Sequence, residues 1–286
     1  MMNHQNNPHN PRWAFFGTSP IATYVLDTLE LRGYIPECVV TPHGKPQGRH
    51  KEIIPSAVEQ WAYTRNISVQ HDHQIGTDWD VCIVADYGRI LPRTVLGMAR
   101  RGFLNVHPSL LPRLRGPSPI QTAILTDERI TGVTVMLLDE IMDHGPIVAQ
   151  KQVPMYPWPP HRGTMEQTLM REGGHLLADI LPSWIAATIE AHPQQHDHAT
   201  FSSKITKDDG LLDLSADPYH NLLKIHALEG WPGTYAFFER NNVPIRVAIL
   251  DATVENNSLV ITRVKPEGRR DMTYIDFMNS GARIVR

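Results

Sequence analysis

At 286 residues, with 41% hydrophobic and 20% charged side chains and a net charge of −3, the chain has a globular composition and the length of two domains rather than one. That balance excludes a wholly disordered chain and a generally basic nucleic-acid binder, so any contact with RNA must come from local patches. The longest apolar runs are strand-length, which excludes a bilayer-spanning helix, and no charged-then-apolar leader is present, so a cytoplasmic protein without a membrane partner is expected.

Residues 1–12, MMNHQNNPHNPR, read as a polar tail. Trp13 to Phe16 reads as a strand, and Gly17-Thr18-Ser19-Pro20 as the start of a helix, with Thr18 or Ser19 as cap and Pro20 in the first position. Ile21, Val25, Leu26 and Leu29 recur at helical spacing until Gly33, and Glu37 to Thr41 is the next strand. The chain thus opens β–loop–α–β, the start of an open parallel sheet. Its first loop, GTSPIA, lacks the second and third glycines that let a pyrophosphate approach the backbone, which disfavours NAD or FAD. Cys38 and Cys82 lie inside apolar runs and are expected to be buried, inert thiols. The stretch TPHGKPQGRHKEIIP that follows Val40 is a long basic loop carrying Lys45, Arg49 and Lys51. Ser56 to Arg65 is expected to be helical and Ile67 to Val69 a short strand. Val81 to Ala85 is a buried strand, and the turn DYGRILP at its carboxyl end sits where open α/β sheets bind ligands.

A short helix is expected over Thr94 to Arg100, broken by Gly102, and then a strand from Phe103. Asn105 and His107 occupy alternate positions of that strand, so both side chains leave one face. A proline-rich loop leads to a helix from Ser118 to Leu125. Two strands, Ile130 to Leu138 and Ile147 to Val153, are joined across a loop that carries Asp143. Thr164 to Ile189 has a long helical pattern with Gly173-Gly174 inside it and Pro182 expected to bend or divide it. EAHPQQHDHATFSS, residues 190–203, reads as a linker. Beyond it a helix over Pro218 to Leu228 precedes β-prone runs at Thr234 to Phe238, Ile245 to Leu250, Ser258 to Val264 and Met272 to Ile275, a small α+β or barrel-like domain. The expected division is a tail 1–12, a catalytic domain 13–189, a linker 190–203 and a carboxyl-terminal domain 204–286.

An amide, an imidazole and a carboxylate are the groups needed to hold and protonate a carbonyl under attack. Asn105 and His107 could each stabilise the developing oxyanion by about 3 kcal/mol, while Asp143 favours a charged imidazole and accepts a proton. Other readings of the same residues stand beside this one. His107 next to Pro108 fits a structural turn, and Ser109 fits a hydrolase nucleophile, although Leu-Leu-Pro follows it rather than a G-x-S-x-G elbow. His71-Asp72-His73 and His192, His196 and His198 lack cysteine partners or an H-E-x-x-H helix, so they read as solvated surface and no metal is expected.

FLNVHPSLLPRLRGPSPIQTAI followed by TGVTVMLLDEIMDHGPIV resembles the folate-dependent formyltransferases, most closely the members whose acceptor is methionyl-tRNA. FFGTSPIA, KPQGRHK, ADYGRILP, SKITKDDGLLDLS and GWPGTYAFF extend the resemblance in collinear order. It implies an α/β fold: a Rossmann-like formyltransferase domain with a parallel-rich sheet, plus a small carboxyl-terminal barrel-like domain, OB-like and shortened. It implies a monomer that moves the formyl group of 10-formyltetrahydrofolate to the amino group of initiator Met-tRNA. The family's catalytic Asn, His and Asp fall on Asn105, His107 and Asp143. Its folate pocket falls on Tyr87, Arg89, Ile90, Leu91, Ser109, Leu110, Leu111, Pro112 and Asp139, with Thr134 in support. Its tRNA contacts fall on Lys45, Arg49, Lys51 and Lys204. The sequence departs from that pattern at His50, where the family has a second glycine, and in the short VKPEGRRDMTYIDFMNSG ending. A sugar-nucleotide N-formyltransferase and a non-catalytic folate- or RNA-binding module are the alternatives. The basic loop and GPSPIQ stand against the first, the intact Asn-His-Asp set against the second.

Overall fold

The computed structural model describes residues 11–47, 52–71, 75–240 and 242–284. Two compact units are formed: Met1–Arg115, Gly132–Val153 and Glu166–Thr200 make the first, and Gly116–Thr131, Pro154–Met165 and Phe201–Arg286 the second. The sequence reading separates domains at 190–203; the units part at Thr200 and Phe201, and two inner segments belong with the carboxyl-terminal unit.

In the first unit, β1 (Trp13–Gly17) leads through α1 (Pro20–Leu31) to β2 (Cys38–Val40). The basic insertion is not simply a loop: β3 (Lys45–Gln47) pairs antiparallel with β4 (Glu52–Ile54). After α2 (Ala57–Tyr63), capped by a reciprocal Ser56–Glu59 box, come β5 (Ser68–Gln70), β6 (Val81–Ala85), α3 (Arg93–Leu96) and β7 (Phe103–His107). The helix α3 is shorter than expected, because Gly97 ends it. Beyond α4 (Pro119–Leu125), which belongs to the second unit, β8 (Gly132–Leu137) and β9 (Ile147–Gln152) complete a seven-stranded sheet of order β5-β2-β1-β6-β7-β8-β9. The first five strands in that order run parallel, and β8 and β9 are antiparallel additions at one edge. Strand order reverses between β1 and β6, so the crevice at their carboxyl ends is the topological switch point.

The core explains two sequence features. Ala14 on β1 lies opposite Cys38 on one side and Cys82 on the other, and burial raises both thiol pKa values, Cys38 to about 11. The helix α5 (Arg162–Ile185) is one 24-residue helix with Pro182 inside it. Pro182 lies in the last turn, and the helix runs through it to Ile185 without being divided. Gly173-Gly174 marks a close approach: a Cβ on Gly173 would stand 2.4 Å from Val106 Cγ1 and 2.9 Å from Val133 Cγ2, and one on Gly174 2.7 Å from Thr28 Cβ. Only hydrogen at these two positions lets the helix rest on β7, β8 and α1.

The second unit holds α6 (Pro218–Ala227), capped by Asp217, against β10 (Thr234–Arg240), β11 (Val243–Glu255) and β12 (Ser258–Pro266). The expected strand Met272 to Ile275 is corrected: β13 is only Met272–Thr273, because Thr273 caps α7 (Tyr274–Asn279) by exchanging hydrogen bonds with Asp276. A further strand, β14 (Ala282–Ile284), pairs with β10, giving an antiparallel half-barrel of order β13-β12-β11-β10-β14. Asp127, just past α4, accepts hydrogen bonds from Trp158 Nε1 (2.6 Å), Tyr219 Oη (2.8 Å) and Arg129. Burial opposes its charge, yet these donors hold its pKa below the ordinary carboxylate value.

Candidate active site

Asn105 and His107 sit on the last half of β7, paired across to Met136 and Thr134 of β8. The Asn105 side chain is half-buried and makes no hydrogen bond among the described residues. Thr134 is wholly buried and fixes the chain that follows His107. Its hydroxyl donates to Ser109 O (2.6 Å) and accepts from Leu111 N (3.1 Å) and Gln150 Nε2 (2.9 Å). Gln150 also donates to Leu111 O. The loop carrying Ser109, Leu110, Leu111 and Pro112 is thereby pinned to the antiparallel edge of the sheet. Ser109 Oγ donates its proton to Arg113 O at 2.6 Å inside a buried site, so the nucleophile reading has no support here.

His107 is buried, with Nε2 3.0 Å from Leu114 O. A carbonyl oxygen can only accept, so Nε2 carries a proton and the tautomer is fixed. Nδ1 faces Asp143 Oδ1 at 3.6 Å, which makes Nδ1 the ring nitrogen turned toward the carboxylate. Asp143 itself holds a left-handed backbone at φ 51°, tolerable for Asp and costly for most residues. What keeps it there is Gln194, buried in the segment read as linker. Its Nε2 donates to Asp143 O (2.9 Å) and Gly145 O (2.7 Å). Its Oε1 accepts from Arg115 Nε (3.1 Å) and Nη2 (2.6 Å). Arg115 is also buried; desolvation lowers its pKa while Asp143 and Asp139 raise it, and a guanidinium stays charged regardless. Arg115 Nη2 reaches His196 Nδ1 at 2.9 Å, His196 stacks on His144 at 4.1 Å, and His144 Nδ1 meets the Asp139 carboxylate at 2.6 Å. The loop bearing Asp139 and Asp143 is therefore braced at several points.

At the switch point, Thr18 Oγ1 donates to Tyr87 O (2.8 Å) and Thr18 N to Asp86 O (3.2 Å), joining the loops after β1 and β6. Tyr87 is buried edge-on against Phe16, and Leu91 is buried in the same cluster. Arg89 and Ile90 are exposed. Arg49, Lys51 and His50 lie outside the described residues, Lys45 is on β3, and Lys204 is exposed in the second unit. Gln194 and Arg115 carry no sequence signal of a site: one sits in a polar run, the other among prolines and glycines.

A parallel-rich sheet with an amide and an imidazole at one strand's carboxyl end, and a carboxylate facing that imidazole, defines a Rossmann-like group-transfer fold. The chain belongs to the formyl transferase family, which it matches over residues 12–181. It is 37% identical to methionyl-tRNA formyltransferase of Chloroflexus aurantiacus over 246 residues, 82% of this chain and 78% of that one. To methionyl-tRNA formyltransferase of Halorhodospira halophila it is 33% identical over 96% of this chain and 97% of that one. Among solved structures, the N-formyltransferase of Helicobacter canadensis in complex with folinic acid and dTDP-3-aminofucose shares the fold, with a TM-score of 0.66 and 17% identity over 86% and 88% of the two chains. No helix among the described residues is long and apolar enough to cross a membrane.

Proposed function

We propose that this protein transfers the formyl group of 10-formyltetrahydrofolate to the α-amino group of initiator methionyl-tRNA. The observation that supports the reading is the approach of Asp143 to His107, with Asn105 two positions earlier on the same strand, within a chain a third or more identical to methionyl-tRNA formyltransferases. The amine attacks the formyl carbon, a new C–N bond forms, and the carbonyl oxygen takes negative charge. The Asn105 amide is available to donate to that oxygen, with the protonated imidazole of His107 beside it. The amine's proton leaves toward Asp143, and the folate nitrogen gains one as its C–N bond breaks. Tyr87, Arg89, Ile90, Leu91, Asp139 and the loop Ser109 to Pro112 line the folate. Lys45, Arg49, Lys51 and Lys204 face the tRNA. Residues 13–189 carry the chemistry and 204–286 the remaining tRNA surface, in a monomer working in the cytoplasm. Arg263, just before the short ending, is already paired with Asp271 of that ending, which leaves fewer cations for phosphate.

The test offers the 10-formyltetrahydrofolate donor with initiator Met-tRNA, elongator Met-tRNA and amino sugars. Formylation of initiator Met-tRNA alone is expected, with Asn105→Ala and His107→Ala each folded and slower by about 10²-fold or more. Preference for an amino sugar would replace the acceptor, and wild-type turnover in either variant would remove the mechanism.

A further inference from the structure

A second cluster of titratable groups lies wholly in the carboxyl-terminal unit, and the transfer chemistry makes no use of it. His161 immediately precedes α5, His226 is on α6 and Asp251 is on β11; one donor atom of each lies within 4.8 Å of the others. Nothing in the sequence spacing joins them. We propose that His161, His226 and Asp251 form a binding site for a divalent transition-metal ion of the zinc class.

His226 and Asp251 are already held by hydrogen bonds to the backbone, and His161 needs a turn of its ring. His226 is buried and its Nδ1 donates to Pro159 O at 3.0 Å, so Nε2 is left as the unprotonated donor. Metal-bound histidines commonly have their outer nitrogen held by a backbone carbonyl in this way. Glu229 takes the corresponding place for His161. Its Oε2 accepts from Gly163 N at 2.9 Å, while its Oε1 stands 3.6 Å from His161 Nδ1, a buried nitrogen without a hydrogen-bond partner among the described residues. His161 Nε2 then faces Asp251 Oδ1 at 3.7 Å. Bond lengths of about 2.1 Å in a tetrahedral site put neighbouring donor atoms about 3.4 Å apart, close to that spacing. Asp251 stands at a break in the β11–β12 register, and such bulges re-aim a side chain. Its Oδ1 accepts from Ala252 N, which leaves lone pairs for a cation.

The two rings are stacked, 3.9 Å apart and 23° from parallel. A metal must lie in the plane of each ring, so the half-exposed His161 ring turns about its broad χ2 torsion when the ion enters. Two imidazoles and a carboxylate favour zinc, cobalt or nickel over magnesium or calcium, and a water completes the shell. The ion would tie the segment before α5 to the half-barrel.

The test uses the full, tag-free chain and Co²⁺ or Zn²⁺ alone, followed by visible absorption, calorimetry and thermal unfolding. One equivalent is expected to bind saturably and to raise the melting temperature. His226→Gln, His161→Gln and Asp251→Asn should each weaken binding by about 10–100-fold, while His220→Gln on the exposed side of α6 leaves it unchanged. Asp251 is on the surface, so its variant stays folded if His226→Gln does not. Absence of a one-to-one transition, or equal affinity in Asp251→Asn and the wild type, overturns the site. None of these readings depends on formyl transfer.

Discussion

The proton on Nε2 of His107 is committed to Leu114 O, so everything this imidazole does for a substrate passes through Nδ1 and hence past Asp143. Asp143 is positioned through its backbone, by a Gln194 amide that is saturated in turn by Arg115. Gln194→Ala removes two donors from the loop and leaves a buried guanidinium short of an acceptor. We expect turnover to fall by about 10²-fold with overall folding retained, measured by single-turnover formyl transfer and circular dichroism. Gln194→Glu can still meet Arg115 but offers no N–H to the two carbonyls, so it should not restore the rate; full recovery would show that Arg115 alone matters. At this scale the sequence was a good guide to groups with chemistry and a poor one to groups that hold them. Asn105 and His107 stand out because strand alternation puts them on one face. Gln194 is 51 residues from Asp143, and only the folded chain relates them.

Among elements, α5 shows how a weak local sequence serves a packed one. Two adjacent glycines cost helix stability, and they are present because β7 and α1 come too close for a Cβ. Gly173→Ala should destabilise the chain by about 1–3 kcal/mol despite alanine's better helix propensity, read from denaturant midpoints. A stabilised variant would mean the helix can shift off Val106 at no cost. The elements around the sheet were legible because buried parallel strands are short apolar runs bounded by breakers. The misread ones, Met272 to Ile275 and the undetected β14, are short pieces where capping by Thr273 and edge pairing outweigh β propensity. The carboxylate of Asp127 joins α4, α6 and the segment around Trp158. Its folded pKa is depressed, so its contribution is present above the unfolded carboxylate value of about 3.9 and is lost as pH falls through the lower folded value. Asp127→Asn should therefore be less stable at pH 7 and show a flatter acid limb, measured by melting temperature against pH. Parallel acid limbs in variant and wild type would count against it.

For the molecule as a whole, the consequence of the two units is that neither is one continuous piece of chain. The Gly116–Thr131 and Pro154–Met165 segments lie within the formyl transferase match yet pack with Phe201–Arg286. A chain ending at Thr200 keeps the catalytic and folate-lining candidates but loses Lys204 and strips α4 of its partner α6. We expect such a fragment to bind hydrophobic dyes and melt well below the full chain; an unchanged melting temperature would show that the site's unit needs nothing beyond itself.

The same interleaving has a consequence during synthesis. A ribosome delivers the chain from its amino terminus at about 5–20 residues per second, so α4 and the segment around Trp158 emerge seconds before α6 and the half-barrel exist to receive them. For that interval α4, whose Ile120 and Ile124 are buried in the folded chain, lacks its native partner α6. The stretch left waiting in this way is residues 116–131, and slow translation beyond Thr200 would lengthen that interval.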